Sequence, residues 1–98
     1  MRMMLRFSLP VERSNQAFAD GSLGSTLEAM LANLKPEAAY FGPVRGKRGG
    51  TIVFDMADPS QIPVVLEPLF TNLDAAVELF PVMTTDELKK GIGAVMSA

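Results

Sequence analysis

The hydrophobic pattern of the chain divides into two consecutive units, each with a helical stripe between two stretches of alternating apolar residues. The alternation predicts strands over 3–9, 37–42, 51–56 and 75–83. Apolar residues at helical spacing predict helices over 23–34 and 62–72, and 11–20 is weakly helical. The order is therefore β-α-β-β-α-β, followed by a short helix that starts at 85–87. The 98 residues leave room for one domain, 1–98.

This order is typical of a ferredoxin-like α+β sandwich. In that fold the strands form one antiparallel sheet in the order 4-1-3-2, with both helices on one face. The second helix has the best start signal, because Asp58 suits an N-cap, Pro59 suits the first helical position and Gln61 completes a capping box. Pro68, late in that helix, should kink or shorten it. Strands two and three form a hairpin with a Gly-rich, basic loop over 42–50.

The composition favours a sheet whose two faces are both buried. Hydrophobic residues make up 48% of the chain and aromatic residues only 7%, which is much apolar material for a small protein to bury. Either both sheet faces are covered within one chain, or a second copy covers one of them. The second arrangement is the more economical and predicts a homodimer. Ile92, Val95 and Met96 of the C-terminal helix can pack on their own subunit or on a neighbour.

The residue types exclude several chemistries. The chain has no cysteine and no histidine, so it has no thiolate nucleophile, disulfide or Ser-His-Asp triad, and we expect no metal and no cofactor. A net charge of −2 gives no reason to expect nucleic acid as a partner. No apolar run approaches the ~20 residues of a membrane span, and Arg6 and Pro10 interrupt what would be a signal peptide. We expect a cytoplasmic protein.

The sheet face away from the helices is the candidate functional surface. It is largely apolar, yet it carries Arg6, Tyr40, Asp55 and Glu78. Strands one and four are neighbours, so Arg6 and Glu78 can face each other near the sheet centre. One interpretation is a structural ion pair with a tyrosine, satisfied across a sheet or dimer interface. The other is a ligand pocket, in which Arg6 binds a carboxylate or other oxyanion, Glu78 or Asp55 accepts a proton and Tyr40 donates a hydrogen bond.

The Gly-rich segment 42–50 has two interpretations of its own. Its backbone N–H groups could cradle an anion, with Arg45, Lys47 and Arg48 nearby. However, it lacks the Gly-Lys-Ser/Thr ending and the following helix of a P-loop. A solvated turn therefore has the stronger support.

Four segments resemble a family of small bacterial proteins to which no function has been assigned. They are 35–41 (KPEAAYF), 58–63 (DPSQIP), 67–70 (EPLF) and 81–83 (PVM), and the resemblance extends over nearly the whole chain. Those proteins resemble the dimeric α/β-barrel superfamily, whose members include cofactor-independent monooxygenases, muconolactone isomerase-like enzymes and stress-response proteins. The resemblance implies a homodimer in which two ferredoxin-like sheets pack face to face, with the polar sheet face lining the barrel interior.

Three functions fit these expectations. The first is a homodimer that binds a small acidic or aromatic molecule between its two sheets, with Arg6, Tyr40, Asp55 and Glu78 as ligand-binding residues. The second is a cofactor-independent isomerase or monooxygenase-like enzyme, with Glu78 or Asp55 as catalytic base and Arg6 stabilising negative charge. The third is a structural or partner-binding dimer with a filled interior.

Overall fold

The computed structural model describes all 98 residues and has the predicted ferredoxin-like architecture. One antiparallel sheet has the order β2-β3-β1-β4, which is the predicted order 4-1-3-2 read from the other edge. Its strands are β1 (Arg2–Ser8), β2 (Ala38–Val44), β3 (Lys47–Asp55) and β4 (Ala76–Pro81). The helices are α1 (Val11–Asp20), α2 (Ser22–Leu34), α3 (Ile62–Leu73) and α4 (Thr85–Met96), and a 3-10 turn (Pro59–Gln61) precedes α3.

The core lies between one face of the sheet and the helices α1, α2 and α3. Leu5 and Phe7 of β1 and Ile52 and Phe54 of β3 are buried there, as their alternation predicts. Side chains of the three helices complete a single hydrophobic cluster that includes Ala17, Met30, Leu69 and Leu73. Full burial of each large apolar side chain contributes about 1.5–3 kcal/mol relative to exposure, so this face of the sheet is fixed.

The β2–β3 connection corrects the predicted loop. The strands continue to Val44 and resume at Lys47, so most of 42–50 is sheet and only Arg45 and Gly46 form the turn. Both turn residues have positive φ, 52° and 78°. That geometry gives the twist that a two-residue hairpin needs. Pro43 is tolerated because β2 is an edge strand, where a residue without an N–H can face solvent.

The start of α3 agrees with the predicted capping signal. The Asp58 carboxylate accepts a hydrogen bond from the Ser60 N–H at 2.8 Å, and Gln61 Oε1 accepts one from the Asp58 N–H at 3.3 Å. The helix continues past Pro68 to Leu73, so the proline does not shorten it, which was one of the two predicted effects. The residue whose carbonyl loses its partner, Val64, is exposed, and water can satisfy that carbonyl.

The C-terminal helix α4 extends away from the rest of the molecule. None of its residues is buried, and Leu88, Ile92 and Val95 form an exposed apolar stripe. The molecule is consequently long, 56 × 27 × 18 Å, with a radius of gyration of 15.8 Å. A compact chain of this length has a radius of gyration of about 13 Å. None of the helices combines the length and hydrophobicity that crossing a bilayer requires.

Candidate functional site

A row of polar residues crosses the sheet face that the helices leave open. The strand register aligns Tyr40 with Thr51, Thr51 with Arg6, and Arg6 with Glu78. Side chains directly opposite each other in an antiparallel sheet have Cβ atoms about 4.5–5.5 Å apart. We call this set, Tyr40, Thr51, Arg6 and Glu78, the polar row, and the surface that carries it the open face. The register therefore brings three of the four sequence-predicted site residues together.

An apolar row lies beside the polar row. The same register aligns Ala38, Val53, Met4 and Phe80, one residue from each strand. All four are only partly buried, because no element of the chain covers the open face. The open face thus combines hydrophobic area with charged and hydrogen-bonding groups in one continuous surface, which is the composition of a ligand site or a protein interface.

Arg6 and Glu78 face each other but do not form an ion pair. The ion pairs of the chain are those of Met1 with Asp55 and of Arg2 with Glu37 and Glu87. The Arg6 guanidinium instead lies over the Phe80 ring, with its carbon 5.4 Å from the ring centroid. Within one chain the structural ion pair is therefore not formed, and the hydrogen-bonding groups of both side chains remain available.

Asp55 lies apart from the other three predicted site residues. It belongs to the same face but pairs with Arg2, four positions beyond Thr51 along β3, which corresponds to about 13 Å. Its side chain is 81% exposed and accepts a hydrogen bond from the Met1 amine at 2.8 Å. Sequence alternation assigns a residue to a face, whereas its row depends on register, so the sequence grouped Asp55 with Glu78 too closely.

A groove of about 480 Å³ adjoins the polar row. Arg6, Thr51 and Glu78 form one side, and Val44 and Arg45 of the hairpin form another. Arg45 was predicted to lie in a solvated loop and was not among the predicted site residues. The Arg45-Gly46 pair is a signal that could have found it, because a two-residue turn there extends both strands and brings Arg45 beside the sheet.

Contacts at helix starts and at one end of the sheet shift the pKa values of four groups. The Glu37 carboxylate, hydrogen-bonded to Arg2 Nε at 2.7 Å, raises the pKa of Arg2. Hydrogen bonds from Thr84 lower the pKa of Glu87, which caps α4 and also contacts Arg2. Hydrogen bonds from Ser22 and Ser60 lower the pKa values of Asp20 and Asp58. These shifts come from contacts that hold helix starts and the sheet end.

Neither the chemistry of the side chains nor the comparisons assign a ligand. No group of three or more acidic residues is arranged to hold a metal ion. No protein-family model and no curated protein matches the chain. Among solved structures, the chain is similar to a de novo designed protein, Ferredog-Diesel, with a TM-score of 0.49 at 6% sequence identity. The alignment covers 83% of this chain and 85% of that chain, and it says nothing about function.

Proposed function

We propose that the protein is a cytoplasmic homodimer that binds a small organic molecule, acidic or aromatic, between the open faces of two sheets. One observation carries the proposal: the polar row runs beside the apolar row on a face that nothing in the chain covers. A binding site needs both features, since apolar area supplies affinity and a few polar groups fix orientation.

The exposed area of the single chain supports a second copy as the cover. The chain exposes 6511 Å². A compact monomer of 10.5 kDa exposes about 5,400 Å². The excess of about 1,100 Å² is larger than the roughly 800 Å² that each partner buries in a standard interface. The open face and the stripe on α4 are the apolar surfaces that such an interface would bury.

The isolated state of α4 also supports a partner. A helix of 12 residues is marginal on its own in water, and Gly91 and Gly93 weaken it by about 1 kcal/mol each relative to alanine. Within the chain only its first turn is held, by the Thr84 cap and the Arg2–Glu87 contact. Packing of the stripe against a second copy would supply the missing stabilisation.

The polar row supports an acidic ligand. The Arg6 guanidinium has no carboxylate partner, so a ligand carboxylate or another oxyanion can take that place. Tyr40, 74% exposed, offers a hydroxyl at the far end of the row. Phe80, Met4 and Val53 offer a surface for the carbon body. Asp55, about 13 Å away along β3, belongs to the rim of this site.

A second candidate function is catalysis by the same groups. Glu78 faces Arg6 without being paired to it, so its carboxylate is free to accept a proton beside a cation that stabilises developing negative charge. This arrangement favours a cofactor-independent isomerase or monooxygenase-like enzyme over other enzyme classes. A structural dimer with a filled interior is the remaining alternative, and it leaves no space for a ligand.

Native mass spectrometry of the protein as purified from cells tests the proposal. We expect a dimer that carries reproducible extra mass, and we expect R6Q and E78Q each to reduce the fraction that retains it. K35Q is the matched control, because Lys35 is exposed at the end of α2 and makes no side-chain hydrogen bond. Retention that is the same in R6Q, E78Q and K35Q would contradict the ligand site. A clean wild-type dimer would favour the catalytic or the structural alternative.

A further inference from the structure

A second cavity lies on the other side of the sheet, between the β2–β3 hairpin and the helices α1 and α2. It measures about 610 Å³, within the range of small-molecule sites. We call it the helix-side cleft. Its apolar lining comes from Phe7, Leu9, Leu23, Leu27 and Phe41. It differs from the open-face groove, because Phe7 is the only residue that lines both.

A glycine of β3, Gly50, allows two aromatic side chains of the cleft lining to pack against each other. Gly50 lies between Phe7 and Phe41 in the register, and the two rings meet edge to face with their centroids 6.3 Å apart. A Cβ at Gly50 would lie 2.8 Å from the Phe41 ring and 3.1 Å from the Phe7 ring. The aromatic floor therefore requires glycine. Phe41 is nevertheless 49% exposed, so part of it remains accessible to a ligand.

The guanidinium of Arg48, which lines the cleft, is held in place by side chains of α1. Arg48 Nη1 donates to Ser14 Oγ at 2.9 Å and to Asn15 Oδ1 at 2.7 Å, and the guanidinium lies over the Phe18 ring at 5.4 Å. Ser14 is fully buried, which anchors the arrangement. The Nη2 and Nε groups of Arg48 have no hydrogen-bond partner, and no carboxylate lies within 4.0 Å of Arg48 or Lys47.

The charged residues of the cleft lining favour an anionic ligand. The cleft residues include Lys47 and Arg48 and no acidic residue. Most cations on a protein surface are solvated, but a guanidinium held rigid beside apolar walls loses little entropy when it binds an oxyanion in a bidentate manner. An uncharged apolar molecule would use the walls and leave both cations unused. An anion with an apolar body uses both.

We infer that the helix-side cleft binds an amphiphilic carboxylate, with its carbon chain or ring over Phe7 and Phe41 and its carboxylate at Arg48 and Lys47. This site is independent of the proposed site on the open face. The hairpin borders both surfaces, because Arg45 lines the groove and Lys47 lines the cleft.

A titration of the ¹⁵N-labelled protein with decanoate, followed by amide chemical shifts, tests this inference. We expect saturable shifts at Gly46, Gly49 and Leu27, and binding of decan-1-ol at least tenfold weaker, since the alcohol lacks the charge. We expect K47Q and R48K to weaken decanoate binding by about fivefold or more. R45Q removes the same charge from the same hairpin outside the cleft and should leave the affinity unchanged.

Four results would overturn the inference. They are the absence of saturable shifts, equal binding of acid and alcohol, an equal loss in R45Q and K47Q, and shifts confined to the open face around Met4 and Val53. K47Q keeps the test valid if R48K perturbs folding, because Lys47 is exposed and its side chain makes no hydrogen bond. Failure here leaves the open-face proposal intact, since R6Q and E78Q test that site separately.

Discussion

Arg6 and Glu78 are direct cross-strand neighbours, yet the Arg6 guanidinium lies over the Phe80 ring instead of on the Glu78 carboxylate. The two charged side chains are neighbours but form no ion pair, so the hydrogen-bonding groups of both remain unused within the chain. On the proposed account that capacity serves a ligand, and a second copy shields it from bulk water.

A double-mutant cycle on Arg6 and Glu78 measures how far the two side chains already interact. We expect R6A and E78A to give a coupling energy below about 0.5 kcal/mol in urea unfolding without ligand, because no ion pair joins them. The control is the same cycle on Arg2 and Glu37, whose Nε and Oε1 atoms are 2.7 Å apart. It should give a larger coupling energy than the cycle on Arg6 and Glu78. A coupling energy above about 0.5 kcal/mol for Arg6 and Glu78 would support the interpretation that they form a structural ion pair.

Gly50 should be intolerant of a side chain. In G50A the new Cβ would lie 2.8 Å from the Phe41 ring and 2.9 Å from the Tyr40 carbonyl oxygen, so the strand or the rings must move. We expect a loss of about 1–3 kcal/mol in the free energy of unfolding, as for other overpacked sites. G42A is the control, since nothing lies within 4 Å of a Cβ there, and it should change stability by less than about 0.5 kcal/mol. Equal effects would show that the two rings yield easily.

The sequence predicted the sheet and its faces because one set of alternating positions in β1 and β3 is apolar at 3, 5, 7, 52 and 54, whereas the other set includes Arg6, Thr51 and Asp55. Leu5, Phe7, Ile52 and Phe54 are buried where that alternation puts them. The hairpin tip was missed because glycines were taken as loop residues. Gly49 and Gly50 are instead inside β3, where a side chain has no room. Atoms of Phe7 and Val44 lie too close at Gly49, and atoms of Phe41 and Tyr40 lie too close at Gly50.

The candidate site was only partly predictable for a related reason. Alternation assigned Arg6, Tyr40, Asp55 and Glu78 to one face, but the distance between them depends on register and strand order together. The rotamer of Arg6 depends on Phe80, two positions after Glu78 on β4, which no local pattern reveals. The position of α4 away from its own core was not predictable from the sequence either. Its apolar stripe could equally pack on its own subunit or on a neighbouring one.

The stripe on α4 should contribute to self-association. In I92Q an apolar side chain that is 51% exposed in the single chain becomes polar. We expect the dimer dissociation constant to rise by about tenfold or more in sedimentation equilibrium, because the interface loses buried hydrocarbon. K90Q, on the opposite side of the helix, should leave it unchanged. The same constant in both variants would place α4 outside the interface.

The Asp58 cap should give the fold an acid-sensitive contribution. Its pKa is below the ordinary value because the Ser60 N–H bonds the charged form, so the stabilisation is full at neutral pH. It disappears as the pH falls through the lowered folded pKa, since the protonated acid binds the N–H less well. We expect D58N, which keeps an acceptor, to be more stable than D58A at pH 7 in urea unfolding.

The pH dependence distinguishes the charge of Asp58 from its size. Wild type and D58N should differ most at neutral pH and converge as the pH falls below the ordinary aspartate pKa toward the lowered folded pKa of Asp58, where the carboxylate takes up its proton. A constant difference over that range would mean that the contribution of Asp58 does not depend on its ionisation.

The coverage of the open face by a second copy is the central claim, and sedimentation velocity at micromolar concentration tests it most directly. We predict a dimer for the wild type, a monomer for F80D, which places a charge in the apolar row, and a dimer for V64D. Val64 is 61% exposed on α3, away from the open face, so V64D controls for the added charge. A wild-type monomer, or the same mass for F80D and V64D, would contradict the account.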